Sequence, residues 1–354
     1  MENQEKLNLI TRNLQEILGL DELKEILNYR NLNIYWGTAP TGKIHIGYLV
    51  PLLKIADLCK ANCNVKILLA DEHSLLDSLK TTPELKELRC IYYEKMIRMI
   101  LCKLNVQVET IRFIYGSDFQ LTEKYTKDML HLSTKVPLHD AKKAGAEVVK
   151  QSNNPPLSSL LYPLYQALDE EYLEVDAEVS GVDQRKILVF SREKLPLLNY
   201  KKRIHLMNPM LTAIDAKPKT TNTNISDTKM SSSNLNSKID FLDGSDEIKR
   251  KINKSYCADG DISFCPLMEI AKLIVFPLLE NQKINKLTIN SPKKVFEYNN
   301  YNELEKDFVE KNLLPQDLKF GINEFLNKFL EPIRKEFESN EMQELINKAY
   351  KQNL

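Results

Sequence analysis

Two short motifs place residues that could bind a polyphosphate at distant points of the chain. His45-Ile46-Gly47-Tyr48 follows an apolar run and opens a segment with helical spacing. Backbone N–H groups at a helix start favour anions, a glycine lets a nucleotide approach the backbone, and a histidine can donate a hydrogen bond to phosphate. Lys229-Met230-Ser231-Ser232-Ser233 offers a lysine charge followed by hydroxyl groups, which suits a polyphosphate whose negative charge grows during bond cleavage. Taken singly each motif is weak, since a lysine beside serines is usually only solvated surface.

A third group combines a phenol, an amide and a carboxylate. Tyr162, Gln166 and Asp169 have the spacing i, i+4, i+7, which puts them on one face of a helix. These groups are costly to bury without partners. They either satisfy one another within a core helix or form a pocket for a zwitterion that has a polar side chain. The residues alone leave both interpretations open.

Alternating strand and helix patterns predict the scaffold that positions these residues. The predicted elements are strands at 32–37, 65–71 and 109–116 and helices at 44–60 and 83–104. Such alternation indicates an α/β fold with a Rossmann-like, doubly wound parallel sheet, whose ligands sit beyond the carboxyl ends of the strands. We therefore expect Gly37 to Gly47 and Ala70 to His73 on one rim of the sheet.

Length and composition indicate a globular chain of two domains. The 354 residues exceed one typical domain of about 100–200 residues, and a hydrophobic share of 43% is enough to build a core. Forty-nine basic residues balance forty-nine acidic ones, so any contact with nucleic acid must come from local patches. The segment 213–237 is polar and predicts an exposed loop. We expect an α/β domain at 1–237, which opens with an amphipathic helix over 1–20, and a mainly α-helical domain at 238–354.

The sequence predicts neither a membrane-spanning segment nor a secretory signal peptide. No run reaches the roughly 18–20 apolar residues that span a bilayer, and the N-terminus lacks the basic start and apolar core of a signal peptide. Of six cysteines only Cys59 and Cys63 are close neighbours, so no four-ligand zinc set is complete. We interpret the cysteines as reduced thiols and expect a cytoplasmic protein without a membrane partner.

The order of the two phosphate motifs resembles that of class I aminoacyl-tRNA synthetases, and longer stretches narrow the resemblance. They are YWGTAPTGKIHIGY, LLADEHSLLD, DAKKAGAEVVKQ, YPLYQALDEEYLEVDAEVSGVDQRK, HLMNPM and KMSSS. Together they resemble the tyrosyl-tRNA synthetases of the archaeal and eukaryotic cytosolic type. The resemblance spans roughly residues 30–335, and the stretch 162–186 is its most specific part.

The resemblance implies roles for individual residues. The implied tyrosine contacts are Tyr35, Tyr162, Gln166, Asp169 and Gln184, with Gln120 and His73 in the same cavity. Gln166 and Gln184 would hold the ammonium group under Tyr162, while Asp169 and Tyr35 would bind the phenolic hydroxyl. The implied ATP contacts are Gly37, Thr38, Ala39, His45, Gly47 and Lys229, and the catalytic set is His45, Gly47 and residues 229–233.

The implied reaction joins L-tyrosine to tRNA(Tyr) through a tyrosyl-adenylate. ATP is the second substrate, with Mg²⁺ held by its phosphates and water, and no carboxylate cluster in the sequence marks a protein-bound metal. The resemblance also implies a homodimer and an anticodon-binding role for the helical domain. There Asp317 would read a guanine edge, and Phe276 would stack on a base or belong to the core. Few residues follow this domain, so we expect no further tRNA-binding domain.

Two features depart from the family pattern. Tyr48 stands where many class I enzymes have a second histidine, and the segment 217–228 is longer than expected between NPM and KMSSS. The nearest alternative is a tryptophanyl-tRNA synthetase, although Tyr35 and Asp169 suit a hydroxyl better than an indole. A catalytically silent RNA-binding homologue is disfavoured because His45 and Lys229 are intact. A nucleotidyltransferase would leave the stretch 162–186 and the helical domain unexplained.

Overall fold

A six-stranded sheet forms the centre of the N-terminal half. The computed structural model describes residues 2–77, 81–148, 154–218, 229–230, 236–292 and 294–350. The strands are β1 (Glu16–Leu18), β2 (Asn33–Thr38), β3 (Asn64–Leu69), β4 (Arg112–Tyr115), β5 (Ala177–Gly181) and β6 (Ile204–Asn208). They lie in the order β1-β6-β5-β2-β3-β4, and every pair is parallel except β1 with β6.

The sheet reverses its winding between β2 and β5. The chain runs from β2 outward to β3 and β4, and it later returns to the other side of β2 with β5 and β6. A crevice at the carboxyl ends of strands opens where the strand order reverses in this way. The predicted α/β fold with a doubly wound, mostly parallel sheet is confirmed, and this crevice is where its ligands should lie.

Helices connect the strands. In this half they are α1 (Asn3–Thr11), α2 (Leu20–Tyr29), α3 (Leu49–Lys60), α4 (Asp71–Leu76), α5 (Pro83–Lys103), α6 (Ser117–Gln120), α7 (Glu123–Ser133), α8 (Leu138–Ala144), α9 (Ser158–Tyr172) and α10 (Arg185–Lys194). The long helix predicted over 83–104 is α5. Pro51 lies in the first turn of α3, where its missing N–H is harmless.

The C-terminal half is mainly helical, as predicted. Its helices are α11 (Ser245–Lys254), α12 (Pro266–Ile270), α13 (Phe276–Asn281), α14 (Tyr301–Val309), α15 (Pro315–Glu336) and α16 (Asn340–Ala349). A π-helical turn at Ala271–Val275 joins α12 to α13. An antiparallel hairpin of β7 (Leu287–Asn290) and β8 (Val295–Tyr298) was not predicted.

The prediction of one amphipathic helix over 1–20 was wrong. Helix α1 ends at Thr11, Asn13 adopts a left-handed backbone conformation with φ 58°, and β1 then adds an edge strand beside β6. Gly19, at φ 90°, turns the chain from β1 into α2. The helical spacing of the sequence was real, but the sheet edge supplied backbone partners that a continuing helix could not use.

One hydrophobic core runs through both halves of the chain. Just after the predicted boundary at 237, the N–H of Phe241 donates to the carbonyl of Ile44, and the N–H of Ile46 donates to the carbonyl of Ile239. The start of the second predicted domain therefore pairs with the His45 motif, while the domain division itself stays a prediction. In the described part of the chain, no helix combines the length and the apolar character needed to cross a bilayer.

Candidate active site

His45 begins the short 3₁₀ turn that precedes α3. Its Nδ1 accepts a hydrogen bond from the N–H of Gly47 at 3.2 Å, so the proton of the neutral ring sits on Nε2. Burial, assisted by the positive charge of Lys238, lowers the pKa of His45 to about 3. At neutral pH His45 can therefore donate from Nε2 to a phosphate oxygen as an uncharged imidazole.

The turn at Gly47 has no room for a side chain. A methyl group at Gly47 would lie 2.8 Å from Cε1 of His45 and 3.8 Å from Sδ of Met230. Met230 is itself buried, so its side chain closes over this turn. The structure thus brings together the two phosphate motifs that lie far apart in the sequence.

Lys229 connects this region with the end of β5. Its Nζ lies 2.6 Å from Oδ2 of Asp183, in the turn after β5 and next to Gln184. The backbone of Lys229 pairs with Thr212 in an isolated β-bridge. The rest of the motif, Ser231, Ser232 and Ser233, lies outside the described residues, as does most of the predicted insertion at 217–228.

Tyr48, which replaces a second histidine, belongs to an aromatic cluster. Its ring packs edge-on against Trp36 and Tyr93 at centroid distances of 6.2 and 6.0 Å. Its hydroxyl lies 3.2 Å from that of Tyr93, which donates to the carbonyl of Gly42 at 2.6 Å. Tyr48 therefore takes part in fixing the loop between β2 and His45, a positioning role that requires no imidazole.

The predicted face of α9 lines a second, buried region. Tyr162 and Asp169 are buried and Gln166 is half-buried. Oδ1 of Asp169 accepts hydrogen bonds from Nε2 of Gln120 at 2.7 Å and from the hydroxyl of Tyr125 at 2.9 Å. Both partners come from the segment after β4, so the pocket wall is built from two separate parts of the chain.

The His73 ring completes this wall. Its Nε2 lies 3.8 Å from Oδ2 of Asp169, its Nδ1 lies 3.4 Å from Nε2 of Gln120, and the ring packs edge-on against Tyr162. Burial lowers the pKa of His73 to about 4. The ring is therefore neutral at pH 7, and its contact with Asp169 is not an ion pair.

Four buried polar atoms in this region have no hydrogen-bond partner among the described residues. They are the Tyr35 hydroxyl, His73 Nε2, Gln120 Oε1 and Asp169 Oδ2. Each belongs to a residue that is at most 2% exposed. An unpaired buried polar atom costs about 1–3 kcal/mol. A set of four that includes both donors and acceptors indicates the place of a polar ligand group.

The electrostatics of this set favour an uncharged ligand group. Burial raises the pKa of Asp169 well above its ordinary value, although hydrogen bonds from Gln120 and Tyr125 oppose the shift. Burial also raises the pKa of Tyr35, and nearby carboxylates, Glu178 foremost, add to the shift. A ligand hydroxyl could donate to one oxygen and accept from another without adding charge to the pocket.

Known proteins resemble this chain over most of its length. The family model for tRNA synthetases class I (W and Y) matches residues 27–331. A probable cytoplasmic tyrosine–tRNA ligase of Encephalitozoon cuniculi is 48% identical over 350 residues, which are 99% of this chain and 100% of that protein. The chain belongs to the tyrosyl-tRNA synthetases of class I.

Two further members of the family show how sequence identity and chain length vary among the relatives. The cytoplasmic tyrosine–tRNA ligase of Xenopus tropicalis is 49% identical over 345 residues, which are 98% of this chain and 63% of that longer protein. The crystal structure of the tyrosyl-tRNA synthetase from Archaeoglobus fulgidus complexed with L-tyrosine is 33% identical, with a TM-score of 0.83 over 94% of this chain and 99% of that one. The chain thus spans less than two thirds of the length of the vertebrate relative.

A buried network behind the pocket was not predicted from the sequence. Glu170, Glu178 and His205 are the one group of potential metal ligands in the described residues, with ligand atoms within 4.8 Å of one another. Nε2 of His205 lies 3.0 Å from Oε1 of Glu170, and Nε2 of Gln166 donates to Oε1 of Glu178 at 2.9 Å. Sheet register explains the grouping, because Tyr35, Glu178 and His205 are neighbours across β2, β5 and β6. Sequence spacing carries no signal of such pairing.

The remaining predicted contacts lie at the expected rim of the six-stranded sheet. Gly37 and Thr38 end β2 and Ala39 follows them, which puts the three positions beside the His45 loop. The hydroxyl of Thr38 lies 3.5 Å from that of Tyr48. Gln184 ends the turn after β5 and is half-buried.

The two residues predicted to read the anticodon lie in the helical half of the chain. Asp317 is half-buried in the first turn of α15 and accepts a hydrogen bond from the Ser291 hydroxyl. Phe276 begins α13 and packs edge-on against Tyr301 at 6.2 Å. Its partial burial against the core favours the packing interpretation for Phe276 over base stacking.

Proposed function

We propose that the protein is a cytoplasmic tyrosine–tRNA ligase. It would activate L-tyrosine with ATP to tyrosyl-adenylate and pyrophosphate, and then transfer tyrosine to the 3′-terminal adenosine of tRNA(Tyr). The observation that carries this proposal is the set of unpaired, buried polar atoms on Tyr35, His73, Gln120 and Asp169. The names of the related tyrosine–tRNA ligases support the same activity.

The phenolic hydroxyl of tyrosine fits these atoms as both donor and acceptor. It can donate to Oδ2 of Asp169 and accept from the hydroxyl of Tyr35, which are both buried and unpaired. Phenylalanine would leave both unpaired, and a site built to pair a hydroxyl strongly rejects the analogue that lacks it, as is established for this family. The N–H of an indole only donates, so tryptophan would give Tyr35 no acceptor.

The other end of the amino acid would lie along α9 toward β5. Because Nε2 of Gln166 donates to Glu178, its carbonyl oxygen is the end left to accept from the ammonium group. Gln184, half-buried after β5, would supply the second amide, with the ring of Tyr162 above the cation. This arrangement would direct the carboxylate of the substrate toward the phosphate motifs.

The first chemical step is an in-line displacement at phosphorus and the second is an acyl transfer at the carbonyl carbon of the adenylate, and neither needs a protein nucleophile. The tyrosine carboxylate attacks the α-phosphorus of ATP, supplied as its Mg²⁺ complex, and pyrophosphate leaves. The terminal ribose hydroxyl of tRNA, at the 2′ position in the class I pattern, then takes the tyrosyl group and AMP leaves. Positioning and stabilisation of charge supply the acceleration. His45 would donate to phosphate through Nε2, and the bare turn at Gly47 would admit the adenosine.

Lys229 would stabilise the leaving pyrophosphate. In the structure its Nζ is bound to Asp183 at 2.6 Å, so it must exchange this partner for a phosphate oxygen as ATP binds. The ion pair is about one-fifth exposed on its lysine side, which makes such an exchange accessible. Ser231, Ser232 and Ser233 would add hydroxyl donors by resemblance alone.

The remaining partners also follow from the resemblance. A homodimer would bind tRNA(Tyr), with the helical half reading the anticodon through Asp317, whose carboxylate could accept from a guanine edge. Phe276 remains a weaker candidate because its ring already packs against Tyr301.

ATP–pyrophosphate exchange with each of the twenty amino acids, offered separately, tests the proposed function. We expect exchange with tyrosine alone. Exchange with tryptophan alone would overturn the substrate, and exchange with none of them would favour a catalytically silent homologue. Transfer of tyrosine to tRNA(Tyr) should follow when tRNA is added, and its absence would restrict the protein to the activation step.

A further inference from the structure

We propose that Glu269, in the helical half, is a positioning residue for Lys229. This inference rests on the proposed function and extends it to a residue that never touches the substrates. Glu269 lies on α12, and its carboxylate accepts two hydrogen bonds from Thr212, from the backbone N–H at 2.9 Å and from the hydroxyl at 2.9 Å. A two-point contact of this kind fixes both the backbone and the side chain of Thr212.

Thr212 lies opposite Lys229 in a short backbone pairing. The two form a β-bridge, and the next N–H along, that of Met230, donates to the carbonyl of Leu211 at 2.8 Å. Leu211 and Met230 are both buried, so this short pairing is anchored in the core. The position of Lys229 is thus set by residues 211–212, and their position is set in turn by Glu269.

Glu269 belongs to a long, continuous helical segment. Helix α12, the π-helical turn Ala271–Val275 and α13 follow one another without a break, and the π-helical turn and α13 both contact α3. Helix α3 begins directly after the His45 motif. One run of helix therefore contacts the scaffold of both phosphate motifs, and π-helical turns often occur near functional sites.

We call the two hydrogen bonds from Thr212 to Glu269 the clamp, and the electrostatics of Glu269 are consistent with it. Glu269 is half-buried, and burial raises its pKa although the hydrogen bonds from Thr212 oppose the shift. A carboxylate accepts at both oxygens, whereas the amide of glutamine accepts only at one and could keep the second contact only by donating to the Thr212 hydroxyl oxygen. Glu269→Gln therefore replaces two charge-assisted hydrogen bonds with weaker neutral ones without changing the size of the side chain.

Loss of the clamp should affect the ATP-dependent step and spare tyrosine binding. Lys229 must leave Asp183 and meet the phosphates in one geometry, and small misplacements of such groups are costly in rate. We expect Glu269→Gln to lower kcat of tyrosine-dependent ATP–pyrophosphate exchange about tenfold. The dissociation constant for tyrosine, measured without ATP, should stay at the wild-type value because the pocket on α9 is untouched.

Matched variants separate positioning from general damage. Glu280→Gln changes a carboxylate on the same helical run that pairs with Arg12 instead, so it should leave kcat of exchange unchanged. Thr212→Val removes the hydroxyl, so its kcat of exchange should lie between those of wild type and Glu269→Gln. Thr212→Ser keeps the hydroxyl and should keep the wild-type kcat. In a Lys229→Ala background, Glu269→Gln should cause no further loss, because a residue that acts only through Lys229 has no effect without it.

Amide hydrogen exchange checks the clamp independently of activity. Glu269→Gln should speed exchange at Thr212 and Met230 in protein without ATP, and Glu280→Gln should not. Unchanged protection at Thr212 and Met230, an equal loss in the Lys229→Ala background, or a parallel loss of tyrosine affinity would each overturn the role of Glu269. Failure of the wild-type protein to exchange with tyrosine would instead defeat the proposed function, while the protection data would still decide whether the clamp exists.

Discussion

The Tyr35 hydroxyl is a group that the ligand-free protein does not use. It is buried and unpaired, so Tyr35→Phe removes a polar atom without breaking a hydrogen bond of the free protein. We expect the thermal midpoint of unfolding to stay the same or to rise. With tyrosine the variant loses one hydrogen bond, so kcat/KM for activation should fall about tenfold, whereas kcat/KM for phenylalanine should not change. Exchange assays with both amino acids and a thermal melt measure these effects.

Tyr125 provides the matched control for Tyr35. Its hydroxyl donates to Oδ1 of Asp169 and lies 3.0 Å from the carbonyl oxygen of Tyr165, so Tyr125→Phe breaks contacts of the free protein. That variant should lower the thermal midpoint. If Tyr35→Phe destabilised the free protein as much as Tyr125→Phe, or impaired tyrosine and phenylalanine equally, the hydroxyl-binding role of Tyr35 would be wrong.

Glu178 gives the protein a dependence of stability on pH. Burial and the negative charge of Glu170 raise the pKa of Glu178 to about 7, while the charge of His205 and the hydrogen bond from Gln166 oppose the shift. A carboxyl whose pKa is higher in the folded state stabilises the fold when protonated, and this contribution is lost as pH rises through about 7. Glu178→Gln, which cannot ionise, should therefore gain free energy of unfolding relative to wild type between pH 5 and 8, by about 1–3 kcal/mol.

Urea denaturation of both proteins at pH 5 and pH 8 measures this difference, and the comparison cancels other groups that titrate. Glutamine keeps an acceptor for Gln166, so tyrosine affinity at pH 6 should remain near that of wild type. A difference in stability that is constant across this pH range would show that Glu178 is ionised in the folded protein throughout.

Lys54 ties the first helix to the body of the molecule. It is 3% exposed on α3, and its ammonium donates to the carbonyls of Leu9, Ile10 and Arg12 at the end of α1. Lys54→Met would leave these carbonyls unpaired, so we expect the free energy of unfolding to fall by about 2–4 kcal/mol. Amide exchange should become faster in α1 than elsewhere.

Lys60 is the matched control for Lys54 because it is exposed and lies at the end of the same helix, α3. Lys60→Met should change stability by less than about 0.5 kcal/mol. Equal protection of α1 in wild type and in Lys54→Met would mean that apolar packing of Ile10, and not the ammonium, holds the helix in place.

The helices and strands show which parts of the fold could be predicted from the sequence. Strand β3 and helix α5 were predictable because their burial follows from local runs and periodicity. Strand β1 was not, since its three residues are half-buried and gain strand geometry only by pairing with β6, nearly the whole domain away. The site residues also divide into those that sequence spacing reveals and those that it does not. Tyr162 and Asp169 share a helix face that spacing reveals, whereas Glu178 meets Tyr35 and His205 only through sheet register.

At the scale of the whole molecule, exposed leucines offer a candidate surface for the proposed homodimer. Leu121, Leu130, Leu138 and Leu157 are 64–70% exposed and lie in the segment between β4 and α9. Helices α7 and α8 from this segment both pack on α9, which carries the proposed tyrosine pocket. Exposed apolar side chains that lie together are typical of an interface, whereas scattered ones are common on any surface. Leu130→Glu combined with Leu138→Glu should therefore convert the proposed homodimer into monomers, as sedimentation velocity would measure.

Val309→Glu places the same charge on a residue of the helical half that is 45% exposed, and it should leave the dimer intact. Because α9 lies directly beneath α7 and α8, loss of the dimer should lower tyrosine activation as well as tRNA charging. Wild-type protein that sediments as a monomer at micromolar concentration would contradict the dimer outright. Monomers of the double variant with full activation rates would show instead that the leucine surface joins two copies without supporting the pocket, which would confine the role of the dimer to tRNA.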